Sequence, residues 1–125
     1  MSKYDPDRSK AYYRTVGGLL RRIYNNQKMT SKKMGRNLPT YSYEELHAWV
    51  TSQPNFQTLY DAWVASDYKK ELIPSIDRKD NYQSYTLNNI QLITFQENLK
   101  NQKDQNISEE YLHTKSKGVR QLTLN

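Results

Sequence analysis

Residues 73–103 read IPSIDRKDNYQSYTLNNIQLITFQENLKNQK, and this stretch decides the fold of the chain. A short apolar run ends at Asp77-Arg78, and a polar loop follows it. A second apolar run begins after Asn89 and continues into a helical pattern that carries Asn98. Apolar runs bounded by turn residues predict two strands, and the last spacing predicts a helix. Such a unit is too small to bury a core alone, so the preceding residues are expected to support it.

The residues before this unit predict a layer of three helices. Asp5-Pro6 is typical of a helix start, and one buried stripe follows at three- and four-residue steps: Tyr13, Val16, Leu19, Leu20, Ile23 and Tyr24. Gly17-Gly18 interrupts the stripe, and a close approach of backbone would explain the pair. A capping box at Ser42–Glu45 predicts the second helix, and a pattern from Phe56 to Val64 predicts the third.

These elements predict an α+β fold in three parts. A helical support region occupies residues 1–70, a strand–strand–helix unit 71–106, and a C-terminal extension 107–125. The hairpin is expected to pack on the third helix through Ile73, Ile76, Ile90, Leu92 and Ile93. The alternating residues 119–124 are interpreted as a peripheral arm or as the start of a truncated module.

The charge of the chain favours a polyanionic partner. Nineteen Lys and Arg face thirteen Asp and Glu, which gives a net charge of +6, and this excess favours nucleic acid ahead of a membrane surface as the partner. A merely soluble basic protein is the alternative. The basic segment 28–37, KMTSKKMGRN, is expected to be a loop. The predicted DNA-binding residues are Arg14, Arg21, Arg22, Lys28, Lys32, Lys33, Arg36, Lys79 and Lys100.

Composition also excludes several classes of protein. The chain has no cysteine and two histidines, so disulfides, cysteine nucleophiles and multi-histidine zinc sites are excluded. It has no apolar run of membrane-spanning length and no signal-peptide core. We therefore expect a cytoplasmic protein with no membrane partner and no small-molecule cofactor.

The segments PSIDRKD and YTLNNIQLITFQENLKNQ, in this order and spacing, resemble the HNH nuclease motif of phage-borne and homing endonucleases. The resemblance covers about thirty residues, and SYEELHAWVTSQPNFQTLYDAWV resembles the lead-in of small phage endonucleases of this sort. The resemblance implies double-stranded DNA as the partner, which the helical region 1–70 would contact, and a ββα-metal unit that lies on the minor groove. It further implies metal-dependent hydrolysis of a DNA phosphodiester, by nicking or by double-strand cleavage. If the chain is phage-encoded, the expected location is the host cytoplasm.

The resemblance also assigns roles to single residues. Asp77 matches the acidic metal ligand and Asn98 the second ligand, while Asn89 matches the asparagine that holds the turn and orients its catalytic neighbour. One Mg²⁺ or Mn²⁺ is the implied cofactor, since such ions take oxygen ligands. Arg78 and Lys100 are expected to bind phosphate. The predicted catalytic residues are Asp77, Arg78, Asn89 and Asn98.

The sequence departs from the motif at Arg78. The family typically has a histidine there as general base, and an arginine cannot accept a proton. Asp80, a hydroxide on the metal, His47 or His113 could replace it. Alternatively, the chain is a catalytically degenerate HNH-fold protein that binds DNA or inhibits a host protein. A helical adaptor with an ordinary Asn-rich turn is a third interpretation.

Overall fold

The computed structural model describes residues 6–102, and within them the chain has an α+β fold, as predicted. The expectations for Asp5, His113 and residues 107–125 lie outside this part. The helices are α1 Pro6–Arg14, α2 Val16–Lys33, α3 Tyr43–Ser52, α4 Phe56–Ala65 and α5 over residues 95–102. The strands are β1 Pro74–Arg78 and β2 Ile90–Thr94, and short 3₁₀ turns cover Lys70–Leu72 and Leu87–Asn89.

The first predicted helix is in fact two helices, which separate at Thr15. The Thr15 hydroxyl accepts a hydrogen bond from the Gly18 N–H at 3.0 Å, which caps α2. The same hydroxyl donates to the Tyr12 carbonyl at 2.6 Å. A Cβ at Gly18 would lie 2.0 Å from that carbonyl oxygen. The close backbone approach that the Gly17-Gly18 pair predicted is therefore present, and Gly18 is the residue that needs it.

The basic segment that was expected to be a loop is mostly the last part of α2. Gln27 and Ser31 are 4% and 1% exposed, so burial of this face extends the helix to Lys33. Gly35 then takes a left-handed conformation, with φ 69°. The Arg36 N–H donates to the Ser31 carbonyl at 2.8 Å, which completes a Schellman end.

The two strands form an antiparallel hairpin that packs on the helical layer by one face. Ile76 lies opposite Leu92, and both join Ile90 and Phe56 in the core. The expected contact with the predicted third helix, here α4, is therefore present for these residues. Ile73 and Ile93 were expected there as well. They are only half-buried and lie outside the buried cluster, because Ile93 pairs with Ser75 on the other face.

Hydroxyl and amide groups join the layers at their edges. Tyr43 of α3 donates to the Gly17 carbonyl at 2.9 Å, and Tyr60 of α4 donates to the Arg14 carbonyl at 2.6 Å. The Asn55 side chain donates to the Leu92 carbonyl of β2 at 3.1 Å. These bonds satisfy carbonyls at the break between α1 and α2 and fix the helices against the hairpin.

Candidate functional site

The hairpin register places Asp77 of β1 directly opposite Gln91 of β2, with both side chains on one face. The Gln91 Nε2 donates to Asp77 Oδ2 at 3.2 Å. The side chain of Asn101, from α5, donates to the same oxygen at 3.3 Å. Both strands and the following helix therefore converge on one carboxylate.

The start of α5 positions its amide side chains over the hairpin. Thr94 and Glu97 form a capping box: the Thr94 N–H donates to Glu97 Oε1 at 3.0 Å, and the Glu97 N–H donates to the Thr94 hydroxyl at 3.2 Å. The helix thus begins directly where β2 ends. Asn98 and Asn101 are three residues apart and share one face. The Asn98 side chain donates to the Ile76 carbonyl at 3.4 Å, next to Asp77.

Gln91 and Asn101 are site residues that the sequence interpretation missed. The assignment followed the motif to Asn98, whose side-chain oxygen accepts from Gln102 at 3.0 Å in the structure. Of the two asparagines in α5, Asn101 is the one whose side chain donates to Asp77. The signal was present in the sequence TFQENLKN, because a capping box at its start fixes the helix and puts both asparagines on the face toward the hairpin.

The carboxylate of Asp77 is buried, and no cationic side chain of residues 6–102 donates a hydrogen bond to it. Asp77 is 5% exposed, and its side-chain partners are the amides of Gln91 and Asn101. Both bonds fall on Oδ2, so Oδ1 accepts none of the side-chain hydrogen bonds in residues 6–102. Removal of a carboxylate from water is costly unless a positive charge compensates it. The amide donors of Gln91 and Asn101 therefore leave the charge of this carboxylate uncompensated among residues 6–102.

Asn89 holds the loop between the strands. It is 6% exposed, and its Nδ2 donates to the carbonyls of Asp80 and Ser84 at 3.1 and 3.0 Å. Its Oδ1 accepts from the Asp80 N–H at 3.0 Å, and its own carbonyl accepts from the Lys79 N–H at 2.7 Å. One side chain thus replaces several backbone partners. This geometry matches the turn-holding part of the role that the resemblance implied for Asn89.

Arg78, predicted to be a catalytic and phosphate-binding residue, does not share the face of Asp77. Strand alternation turns its side chain to the opposite face. Its Nη1 donates to the carbonyls of Asn81 and Gln83 at 2.9 and 3.1 Å, and the guanidinium lies 5.3 Å from the ring centroid of Tyr85. Arg78 therefore stabilises the loop, since these contacts direct its charge away from the Asp77 face.

The residues considered as general base occupy other places. Asp80 accepts from the Tyr82 N–H at 2.9 Å and from the Gln83 side chain at 3.1 Å, so it shapes the loop. His47 is half-buried on α3, where its ring packs edge-on against Tyr43. Within residues 6–102, the side chains that donate hydrogen bonds to Asp77 are amides, and a side-chain amide cannot act as a general base near neutral pH.

Several of the predicted DNA-binding cations lie over tyrosine rings. Arg14 and Arg21 are half-buried, 3.9 and 3.7 Å from the ring centroids of Tyr68 and Tyr43. Exposed positions are found for the other predicted residues: Arg22, Lys28, Lys32, Lys33, Arg36, Lys79 and Lys100. Arg36 also lines a polar cleft of about 490 Å³ beside the hairpin loop. Contact with DNA stays a prediction for all of them.

Comparison with known proteins adds no assignment. No family model, curated protein or solved structure matches the chain. In the part of the chain that the structure describes, no three His, Cys, Asp or Glu side chains group to hold a metal. None of the helices described is both long and apolar enough to traverse a bilayer. A functional proposal therefore has to be argued from the Asp77 site itself.

Proposed function

We propose that the chain is a divalent-metal-dependent DNA endonuclease of the HNH, or ββα-metal, type. One observation carries the proposal: Asp77 is a buried carboxylate that faces amide side chains of β2 and α5, with no cation among its contacts in the described part. A structural carboxylate at this depth is normally paired with a positive charge. A site that recruits its cation from solution accounts for the arrangement.

The order of the elements supports the same function. β1 ends in Asp77-Arg78, β2 follows a loop that Asn89 holds, and α5 continues directly from β2. This order agrees with the unit that the sequence resemblance implies. Asp77 is fixed by the strand register, and the amides of α5 are fixed by the capping box at Thr94. Such rigid elements can hold ligands within the tolerance that catalysis requires.

The residues present fit Mg²⁺ or Mn²⁺. Asp77 would bind the ion through its carboxylate, and Asn98 and Asn101 could each present an amide oxygen, since these ions take oxygen ligands and retain waters. When bound, the ion supplies positive charge to the phosphodiester at the moment negative charge develops. Lys100 is exposed on the same helix as the two asparagines, so it is the cation of α5 suited to bind phosphate.

The remaining side chains position groups rather than transfer protons. Gln91 holds Asp77 in one rotamer through its 3.2 Å hydrogen bond. Asn89 fixes the loop that follows β1. Arg78 donates to the loop carbonyls of Asn81 and Gln83. Water activation by a side chain of this cluster is therefore not part of the proposal.

The same observations favour one alternative, a catalytically degenerate HNH-fold protein that binds DNA or a host protein. Its support is Arg78, which replaces the usual proton acceptor and is bonded to Asn81 and Gln83. Under this alternative the basic residues would still bind the DNA backbone. Binding would not depend on Asp77 or on a divalent ion.

Plasmid cleavage and duplex binding, measured together, separate these functions. Supercoiled plasmid is incubated with the protein in Mg²⁺, in Mn²⁺ and in EDTA, and a labelled duplex is titrated in EDTA. The nuclease proposal expects nicked or linear product in the metal arms alone. Duplex binding with intact plasmid in both metals would favour the degenerate protein. If the protein neither binds nor cleaves DNA at low salt, the adaptor interpretation is the one that remains.

A further inference from the structure

A second concave surface lies between the first two helices and the beginning of the hairpin. It has a volume of about 780 Å³, which is within the range of small-molecule sites. Four cationic residues line it, from α1, α2 and the turn before β1: Lys10, Arg14, Arg22 and Lys70. No acidic residue of the described part does. We call this surface the basic groove.

Aromatic rings hold the cations of the basic groove. Arg14 lies 3.9 Å from the ring centroid of Tyr68, and Arg22 lies 5.1 Å from that of Tyr13. Lys70 lies 5.2 Å from the ring centroid of Phe95. A cation that lies over a ring still has its N–H donors available for another partner. The planar guanidinium and tyrosine groups can also stack on a further aromatic group. Anionic and aromatic chemistry are therefore recognised in one place.

The floor and one wall of the basic groove are preformed. Trp63 is 5% exposed, and its indole N–H has no hydrogen-bond partner among residues 6–102. Tyr68 meets it edge-on at 5.0 Å between centroids. Tyr68 has φ 64°, a conformation rare for a bulky side chain, and its N–H donates to the Trp63 carbonyl at 2.9 Å. The end of α4 thus directs the Tyr68 ring toward the groove.

The basic groove is continuous with the face that carries Asp77. Ser75 lines the groove, and it lies two residues before Asp77 in the same strand. Their side chains share a face, about 7 Å apart along the strand at roughly 3.3 Å per residue. Phe95, which also lines the groove, begins the helix that carries Asn98 and Asn101. A strand held at Asp77 would reach the groove with a neighbouring nucleotide.

We infer that the basic groove binds one unstacked nucleotide of a DNA strand, with its phosphate on Lys10, Arg22 and Lys70 and its base against the Arg14–Tyr68 layer. Base stacking on aromatic and guanidinium planes is the general mode of single-strand binding. That the nucleotide belongs to a DNA strand rests on the proposed nuclease function. Binding itself needs neither metal nor cleavage, so it is measurable in EDTA.

The test compares single-stranded probes on the whole chain in EDTA by fluorescence anisotropy. The probes are a short labelled oligodeoxythymidine and an abasic strand of equal length, with unlabelled thymidine monophosphate as competitor. We expect the oligodeoxythymidine to bind at least tenfold more tightly than the abasic strand and the monophosphate. Equal affinity for the abasic strand would overturn the inference, and so would equal affinity for the monophosphate.

Lys69 and Lys70 provide a matched pair of variants. Both are exposed, but only Lys70 lines the groove. Lys70→Gln is expected to weaken binding of the oligodeoxythymidine about fivefold, and Lys69→Gln less than twofold. Equal losses would overturn the inference.

Trp63 supplies an independent readout. In a Trp49→Phe background it is the remaining tryptophan, and its emission should change with the oligodeoxythymidine and stay constant with the abasic strand. An unchanged emission would contradict the assignment of the groove. Plasmid cleavage is scored separately, so failure here and failure of the nuclease proposal give different results.

Discussion

Asp77 of β1 and Asn101 of α5 are in contact, 24 residues apart in sequence, with Asn101 Nδ2 3.3 Å from Asp77 Oδ2. This contact joins the hairpin to the helix that follows it. It also places a side-chain amide beside a carboxylate. Carboxylate and amide oxygens are ligand types that hard divalent cations take, and a rotation of the Asn101 amide would present its oxygen. The contact therefore defines the site more closely than the motif did.

Substitution of Asn98 or Asn101 is expected to slow plasmid cleavage, whereas substitution of an exposed glutamine on the same helix is not. Asn98→Ala and Asn101→Ala should each reduce the rate of plasmid cleavage by roughly tenfold or more, since supporting groups at metal sites commonly have effects of this size. Gln96→Ala, exposed on the same helix, is the control and should stay near the parent rate. A parent-like rate for Asn101→Ala would remove Asn101 from the site.

Asn89 is expected to contribute strongly to stability. Asn89→Ala leaves the carbonyls of Asp80 and Ser84 without their donor and should lower the free energy of unfolding by about 3 kcal/mol. The exposed neighbour Asn88 provides the control, and Asn88→Ala should change it by less than about 0.5 kcal/mol. Urea denaturation measures both. Similar values for the two variants would contradict the loop-holding role.

The adjacent glycines of α2 are expected to respond in opposite directions. In Gly18→Ala the new Cβ would lie 2.0 Å from the Tyr12 carbonyl oxygen, so the free energy of unfolding should fall by about 3 kcal/mol. In Gly17→Ala the nearest atom is the Tyr43 hydroxyl at 3.6 Å, an ordinary contact. Helix propensity should then raise stability by up to about 1 kcal/mol. Equal destabilisation in thermal melts would contradict the described break at Thr15.

Tyr41 is expected to make stability depend on alkaline pH. Burial raises the pKa of its hydroxyl well above the ordinary value near 10, and the hydroxyl donates to Gln27 at 2.7 Å. The unfolded chain therefore loses this proton first as the pH rises above 10. The free energy of unfolding should fall by roughly 1.4 kcal/mol per pH unit for this group.

Tyr41→Phe should remove that part of the slope, while the exposed Tyr12→Phe should retain it. Chemical denaturation between pH 9 and 12, about the ordinary tyrosine range, measures both variants. An unchanged slope in Tyr41→Phe would show that other groups cause the loss.

Much of the hairpin was predictable from the sequence, because its apolar alternation and turn residues are local signals. The helix break at Thr15 was not predicted, since the stripe from Tyr13 to Tyr24 has the same period in one helix or two. The helical end of α2 was missed because Lys32 and Lys33 suggested a loop, while burial of Ser31 decides the structure.

The site was predicted in part for the same physical reasons. Asp77 and Asn89 are set by strand register and turn chemistry, which are local. The orientation of the Arg78 side chain depends on which face of β1 packs on the core. Its partners Asn81 and Gln83 lie in an irregular loop, so its contacts were not predictable from the motif. The contact of Asn101 with Asp77 required the crossing of α5 over the hairpin, which a linear motif does not contain.

Cleavage by Asp77→Asn is the most direct test of the metal-dependent nuclease. The variant keeps the shape of the side chain and an acceptor for Gln91, and it removes the charge that the ion requires. Asp61→Asn, exposed on α4, is the charge-matched control. With Mg²⁺ or Mn²⁺, the account predicts that the parent and Asp61→Asn nick supercoiled plasmid. It predicts no product from Asp77→Asn. In EDTA this variant should bind DNA at least as tightly as the parent, and its free energy of unfolding should be at least that of the parent. Equal, metal-dependent cleavage by Asp77→Asn, or intact plasmid with every protein, would contradict it.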